Sequence, residues 1–169
     1  CMMHNVSIAI ILSTVIEQYS TEARFYETQL GIDREQWEAW KNGTASLTPA
    51  ENQKIKLLFS DYEWMLIQKI VRQTVIYPEK RTSAVAEFKK MKTQIARTWL
   101  SNDLAKVELL TQSEESTQYL DLRVSITYDE WGYDDILNFR LPAFVQQQIK
   151  NEKIELLAWV KENLEETYN

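Results

Sequence analysis

The chain has 169 residues, a formal net charge of −6, 44% hydrophobic and 26% charged residues, the proportions of a folded globular protein. That length suits one compact domain or two small ones sharing an interface. One Cys and one His exclude a disulfide framework or a cysteine zinc site within one chain, and leave almost nothing for metal or Ser-His-Asp catalysis.

The apolar run Val6 to Ile16 is too short to span a bilayer, which takes about 20 apolar residues. It lacks a basic leader and a small-residue cleavage site. A buried first helix is the expectation, and no membrane association. Ser20-Thr21-Glu22 then caps a helix through Leu30, which Gly31 ends. Asp33 caps the next helix, running to Asn42 and stopped by Gly43. Thr48-Pro49-Ala50-Glu51 is a capping box with Pro at the first helical position, and its helix puts Ile55, Leu58 and Phe59 on one face. Ser60-Asp61-Tyr62-Glu63 starts a longer helix through Ile76, with Met65, Leu66, Lys69, Ile70 and Gln73 at helical spacing. Tyr77-Pro78 breaks it. After Thr82-Ser83 a basic amphipathic helix reaches about Leu100, burying Val85, Phe88, Ile95 and Trp99 and exposing Lys89, Lys90, Lys92 and Arg97.

Beyond Ser101 the period changes from helical to alternating. Tyr119 to Tyr128 alternates with Leu120, Leu122, Val124 and Ile126 facing a core. Asp129 to Asp135 is the expected loop, and Ile136 to Leu141 returns as a second strand stopped by Pro142. Val107 to Leu110 is either a third strand or a short helix capped by Ser101-Asn102-Asp103. A last helix, roughly Phe144 to Thr167, has Ile149, Ile154, Leu157, Ala158, Val160 and Leu164 available to cover the sheet. The expected fold class is α+β: a helix-turn-helix domain over 1–78, a long helical connector over 79–101, and over 102–169 a small antiparallel β-sheet with a C-terminal helix.

Charge divides the chain unevenly. Residues 1–47 carry 3 basic and 6 acidic groups, residues 48–101 carry 10 and 5, and residues 102–169 carry 6 and 14. A basic middle before an acidic end suggests two surfaces with different partners, or simply solvated helix faces.

Residues 20–60 resemble the lambda-repressor-like helix-turn-helix of the Cro/C1 type. Leu30-Gly31-Ile32 supplies the turn, Trp37 the buried anchor, Trp40 its continuation, Gly43 the stop and Pro49 the next start. Glu27 departs from that pattern, which prefers Ala there for close packing. The DNA-binding candidates are Arg34, Gln36, Lys41 and Asn42 on the second helix, with Lys54 and Lys56, because phosphate contacts need cations and base reading needs forked or amide side chains. Asp33, Glu35 and Glu38 oppose them by repelling the phosphate field.

A second candidate surface joins carboxylates to aromatics at Asp129, Glu130, Trp131, Tyr133, Asp134 and Asp135. Such a loop either contacts a partner or covers the hairpin end. Lys89, Lys90 and Lys92 are the matching basic candidates on the connector.

The blocks Trp37-Glu38-Ala39-Trp40-Lys41-Asn42-Gly43, Phe59 to Lys69, Phe88-Lys89-Lys90, Tyr119 to Val124 and Leu157 to Glu165, in that order, resemble a type II-A anti-CRISPR protein of streptococcal phages. The resemblance implies a non-enzymatic, cofactor-free phage or prophage protein acting in the host cytoplasm. It also implies a homodimer that binds a Cas9–guide RNA effector and, through the helix-turn-helix, its own promoter DNA. A dimeric transcriptional regulator of the Cro/C1 type is the alternative.

Overall fold

Capping and breaking residues cut the N-terminal half of the chain into helices where the sequence places them. The computed structural model describes residues 2–110, 119–128, 133–142, 144–145 and 156–168. Helix α1 spans Met2–Tyr19, and α2 spans Glu22–Phe25 with a π-helical turn Tyr26–Leu30. Helix α3 is Arg34–Lys41, α4 Pro49–Lys56 and α5 Asp61–Ile76. A 3₁₀ turn Pro78–Ser83 leads into α6, Ala84–Ser101. Strands β1 Lys106–Leu110, β2 Tyr119–Tyr128 and β3 Tyr133–Pro142 follow, then helix α7, Leu156–Tyr168. The fold class is α+β. Among the described residues no helix is long and apolar enough to cross a membrane.

The chain divides into two compact units, Cys1–Ser60 with Trp64–Phe88, and Asp61–Glu63 with Lys89–Asn169. The boundary therefore falls inside α5 and α6.

In the first unit the apolar run becomes α1, buried at Val6, Ile8, Ile10, Ile11 and Val15. Around Trp37, which is 0% exposed, the aromatic rings form a continuous cluster. Phe25 meets it edge-on at 5.9 Å, Tyr26 stacks at 5.5 Å and Trp40 lies at 5.0 Å, spacings at which ring pairs attract beyond simple area burial. Ile55, Leu58 and Phe59 are buried as the pattern predicts. On α5 the buried stripe is Leu66, Ile67, Ile70, Val71 and Thr74. Met65 and Lys69, expected at the same helical spacing, instead face outward.

The second unit holds a three-stranded antiparallel sheet in the order β1-β2-β3. Leu122 and Val124 of β2 and Leu137 and Leu141 of β3 are 0% exposed, and Trp159, Val160 and Leu164 of α7 are buried as well. Ile126, expected among the core residues, is only half-buried near the strand end. The open choice at Val107 to Leu110 resolves to a strand, since Lys106 to Leu110 pair with Ser125 to Asp121.

Strand β3 starts three residues earlier than expected, because Tyr133, Asp134 and Asp135 pair with Tyr128, Thr127 and Ile126. The aspartates hid this extension, being depleted in strands generally, so residues 133–135 of the expected loop belong to the strand. Phe144 and Val145 are helical, while the predicted contacts of Ile149 and Ile154 lie outside the described residues.

Candidate functional site

The helix-turn-helix surface is built by two well-capped helices around a glycine turn. Asp33 Oδ1 accepts from the Gln36 backbone N–H at 2.8 Å, and Gln36 Oε1 accepts from the Asp33 N–H at 3.1 Å. This reciprocal capping box starts α3. Thr48 and Glu51 repeat it at the start of α4, at 3.2 and 2.9 Å. Gly31 takes φ 65°, the left-handed conformation that favours glycine, and its N–H donates to the Tyr26 carbonyl to close the π-helical turn. The widened turn shifts the helix phase locally. Tyr26 and Leu30 are buried while Glu27 is exposed, so the position that departs from the helix-turn-helix pattern faces solvent instead of the partner helix.

The candidate DNA readers on α3 have unequal freedom. Arg34 and Asn42 are exposed. Gln36 is exposed too, but its side chain is occupied in the capping box. Lys41 is held by carboxylates on both sides, with Nζ 2.8 Å from Glu22 Oε1 and 3.3 Å from Glu38 Oε1. Glu22 also accepts from the Trp37 indole N–H at 2.7 Å. Burial works against the Glu22 charge, but hydrogen bonds from Lys41 and Trp37 and the Lys41 charge prevail and hold its carboxyl below the usual value. The hydrogen bond to Glu22 in turn raises Lys41 above the ordinary lysine value.

On α4, Lys54 donates to the Gln29 carbonyl at 2.7 Å, and the Lys56 ammonium sits 5.7 Å from the Trp64 ring centroid. Asp33 and Glu35 stand exposed beside Arg34. The surface thus offers a phosphate few uncommitted cations among exposed carboxylates.

The acidic candidates are brought together only in part. Asp134 and Asp135 lie on β3, where Asp134 is exposed and Asp135 half-buried. Asp135 Oδ2 accepts from the Tyr128 hydroxyl at 3.0 Å. That hydrogen bond, with the Asp135 charge, raises the Tyr128 phenol above its ordinary value. Burial and the same carboxylate raise Tyr62, whose ring meets Trp99 edge-on at 5.0 Å. Tyr133 begins β3, and Asp129, Glu130 and Trp131 lie outside the described residues.

The basic candidates on α6 separate sharply. Lys90 is exposed, and Lys89 is half-buried with its ammonium 5.3 Å from the Tyr168 ring. Lys92 is 4% exposed and cannot line a partner surface, which corrects its assignment to the exposed basic face. The buried stripe of α6 runs through Ala84, Phe88, Lys92, Ala96, Trp99 and Leu100, and Val85 and Ile95 are only half-buried. Lys92 Nζ pairs with Glu63 Oε2 at 3.2 Å and donates to the Asn138 carbonyl at 2.6 Å and the Tyr168 hydroxyl at 3.0 Å.

Glu63, Asn138 and Tyr168 were not evident as a group from the sequence. Their signal was a single acid on the apolar stripe of α5 facing a single base on the apolar stripe of α6. Among the described residues no three His, Cys, Asp or Glu side chains converge as a metal site.

No protein-family model matches the chain, and no curated protein or solved structure matches it.

Proposed function

We propose that this chain is a non-enzymatic phage or prophage protein that binds a type II-A Cas9–guide RNA effector and blocks its action on DNA. In this reading the helix-turn-helix serves mainly as a scaffold. The observation that carries it is the fixing of Lys41 between Glu22 and Glu38. A DNA-reading helix needs free cations towards the phosphates, and here that lysine is spent inside the domain. The acidic residues 102–169, with 14 acidic against 6 basic groups, supply the complement to a positively charged heteroduplex channel. The resemblance of the ordered blocks to type II-A anti-CRISPR proteins points to the same partner.

The test is a titration of the protein into cleavage reactions with several small type II-A Cas9 enzymes, alongside co-elution with each Cas9–guide complex. Inhibition and co-elution with at least one enzyme are expected. Unchanged cleavage across the panel without co-elution would overturn the reading. Replacing Asp134 and Asp135 with Lys weakens inhibition if the acidic strand end is the contact.

A dimeric regulator of the Cro/C1 type is the second reading, favoured by the two capping boxes and the exposed Arg34 and Asn42. It requires an electrophoretic shift of DNA from upstream of its own gene. No shift at low salt, where phosphate contacts are strongest, would end it.

A further inference from the structure

The two edges of the sheet differ in their chemistry. At β3 the Asn138 N–H donates to Glu63 Oε2 at 2.9 Å and its carbonyl accepts from Lys92 Nζ at 2.6 Å. An ion pair of side chains thus occupies the positions that a further strand would take, and at Asn138 the β3 edge is closed.

The same contacts fix the orientation of the opposite edge. Because both backbone groups of Asn138 turn away from β2, Asn138 and Arg123 form a non-hydrogen-bonded pair. Alternation across β2 then directs the backbone groups of Lys106 and Glu108 towards β2, and those of Val107 and Leu109 away from it. Among the described residues no strand pairs with that outer side of β1. An open edge of this kind is a template for strand addition.

We propose that the β1 edge pairs antiparallel with the same edge of a second copy of this chain, with Val107 on the twofold axis. In that register Lys106 stands opposite Glu108 of the partner subunit, and Glu108 opposite the partner's Lys106. Ala105 stands opposite the partner's Leu109. The outward backbone groups of Val107 then face those of its counterpart across the axis, giving about two hydrogen bonds, and those of Leu109 face the chain just before β1 in the partner.

Competing registers are disfavoured by charge and by geometry. Sliding one copy by two residues sets Glu108 against Glu108 of the partner subunit, or Lys106 against Lys106 of the partner subunit, and like charges directly opposite are destabilising. Sliding by one residue sets outward backbone groups against inward ones and loses the ladder. Val107 and Leu109 become covered in the proposed pairing. They are half-buried, opposite Val124 and Leu122, which are 0% exposed, so the apolar face of the sheet continues beyond its present edge.

Sedimentation of the full chain over a concentration series tests this, with circular dichroism to confirm folding of each variant. The native chain forms a dimer whose population rises with concentration. Lys106→Glu and Glu108→Lys each place like charges at both symmetry-related pairs, and each weakens the dimer roughly ten-fold. Lys106 lies opposite the neutral Ser125 within the sheet, so Lys106→Glu creates no like-charge pair with its neighbour on β2. Mixing the two variants restores association, because the mixed dimer carries opposite charges at both pairs. A chain that stays monomeric at every concentration overturns the proposal. So does a dimer that ignores both substitutions, or variants that do not recover on mixing.

Discussion

Lys92 Nζ lies 3.2 Å from Glu63 Oε2, and the two side chains, 5% and 2% exposed, hold opposite backbone groups of the same residue, Asn138. The Lys92 ammonium also sits 4.9 Å from the ring centroids of Phe139 and Tyr168. Each charge is therefore compensated by its partner, by backbone and by aromatic faces. This arrangement ties the first turn of α5, the middle of α6 and the edge strand β3 into one polar contact.

Removing either partner leaves the other charge buried without its counterion. Lys92→Met and Glu63→Gln are each expected to cost about 3–5 kcal/mol, the usual penalty for breaking a buried pair. The double variant should lose clearly less than the sum, because the uncompensated charge disappears. Urea denaturation of the four proteins in a double-mutant cycle measures the coupling. Additive losses would mean that the two side chains act independently.

At the aromatic cluster, Trp37→Ala removes the ring that Phe25, Tyr26 and Trp40 surround and also the indole donor to Glu22. A loss of about 3–5 kcal/mol is expected from the lost burial of the ring together with the cavity it leaves. Trp37→Phe keeps most of the packing but leaves Glu22 one hydrogen bond short, so it should cost distinctly less. Thermal or denaturant unfolding followed by circular dichroism distinguishes the two.

Glu22 gives the helix-turn-helix an acid dependence. Its folded carboxyl lies below the ordinary value, held down against burial by Lys41 and Trp37. The unfolded chain therefore binds this proton more readily. The stabilisation is complete above the unfolded value and is lost as pH falls through the folded one. Stability measured from neutral pH downward should fall through and below the ordinary carboxylate range. In Glu22→Gln that fall should be shallower. An identical pH profile for the two proteins would show that Glu22 does not contribute.

Tyr128 and Tyr62 carry the opposite dependence. The hydrogen bond to Asp135 favours the neutral Tyr128 phenol, and burial followed by the Asp135 charge favours the neutral Tyr62 phenol. Both folded values are raised, so these contributions are complete below the ordinary tyrosine value and fade as pH rises through the folded ones. Asp135→Asn should move part of the tyrosinate absorbance transition of the folded protein to lower pH. An unmoved transition would contradict the contact.

The N-terminal helices were legible because their signals are local. Thr21, Asp33, Thr48 and Pro49 act within one turn of their helices, and Gly31 within one residue. The alternation of Leu120, Leu122 and Val124 was equally local, and it revealed β2. What escaped were facts of tertiary pairing. Asp134 and Asp135 read as loop because strand propensity is only a weak preference, overruled here by their partners on β2. Lys92 read as surface because nothing in its neighbourhood in sequence announces Glu63, Asn138 and Tyr168, which come from three distant segments. The same limit applied at Lys41, whose partner Glu22 lies on the preceding helix.

Lys41 links the structure most directly to the choice between scaffold and DNA reader. Glu38→Gln removes an acid from the outer side of α3 and loosens the hold on Lys41, while Glu22 remains to support Trp37. If suppressed charge is what keeps this helix from DNA, Glu38→Gln should bind duplex DNA more tightly than the native chain at low salt. Its salt dependence should steepen by about one unit for each further phosphate that the protein neutralises. Glu35→Gln, which removes an exposed acid from the same helix, should act in the same direction without freeing Lys41, so its slope should change less. Equal, undetectable binding by all three proteins would place the obstacle in the shape of the helix-turn-helix surface rather than in its charge.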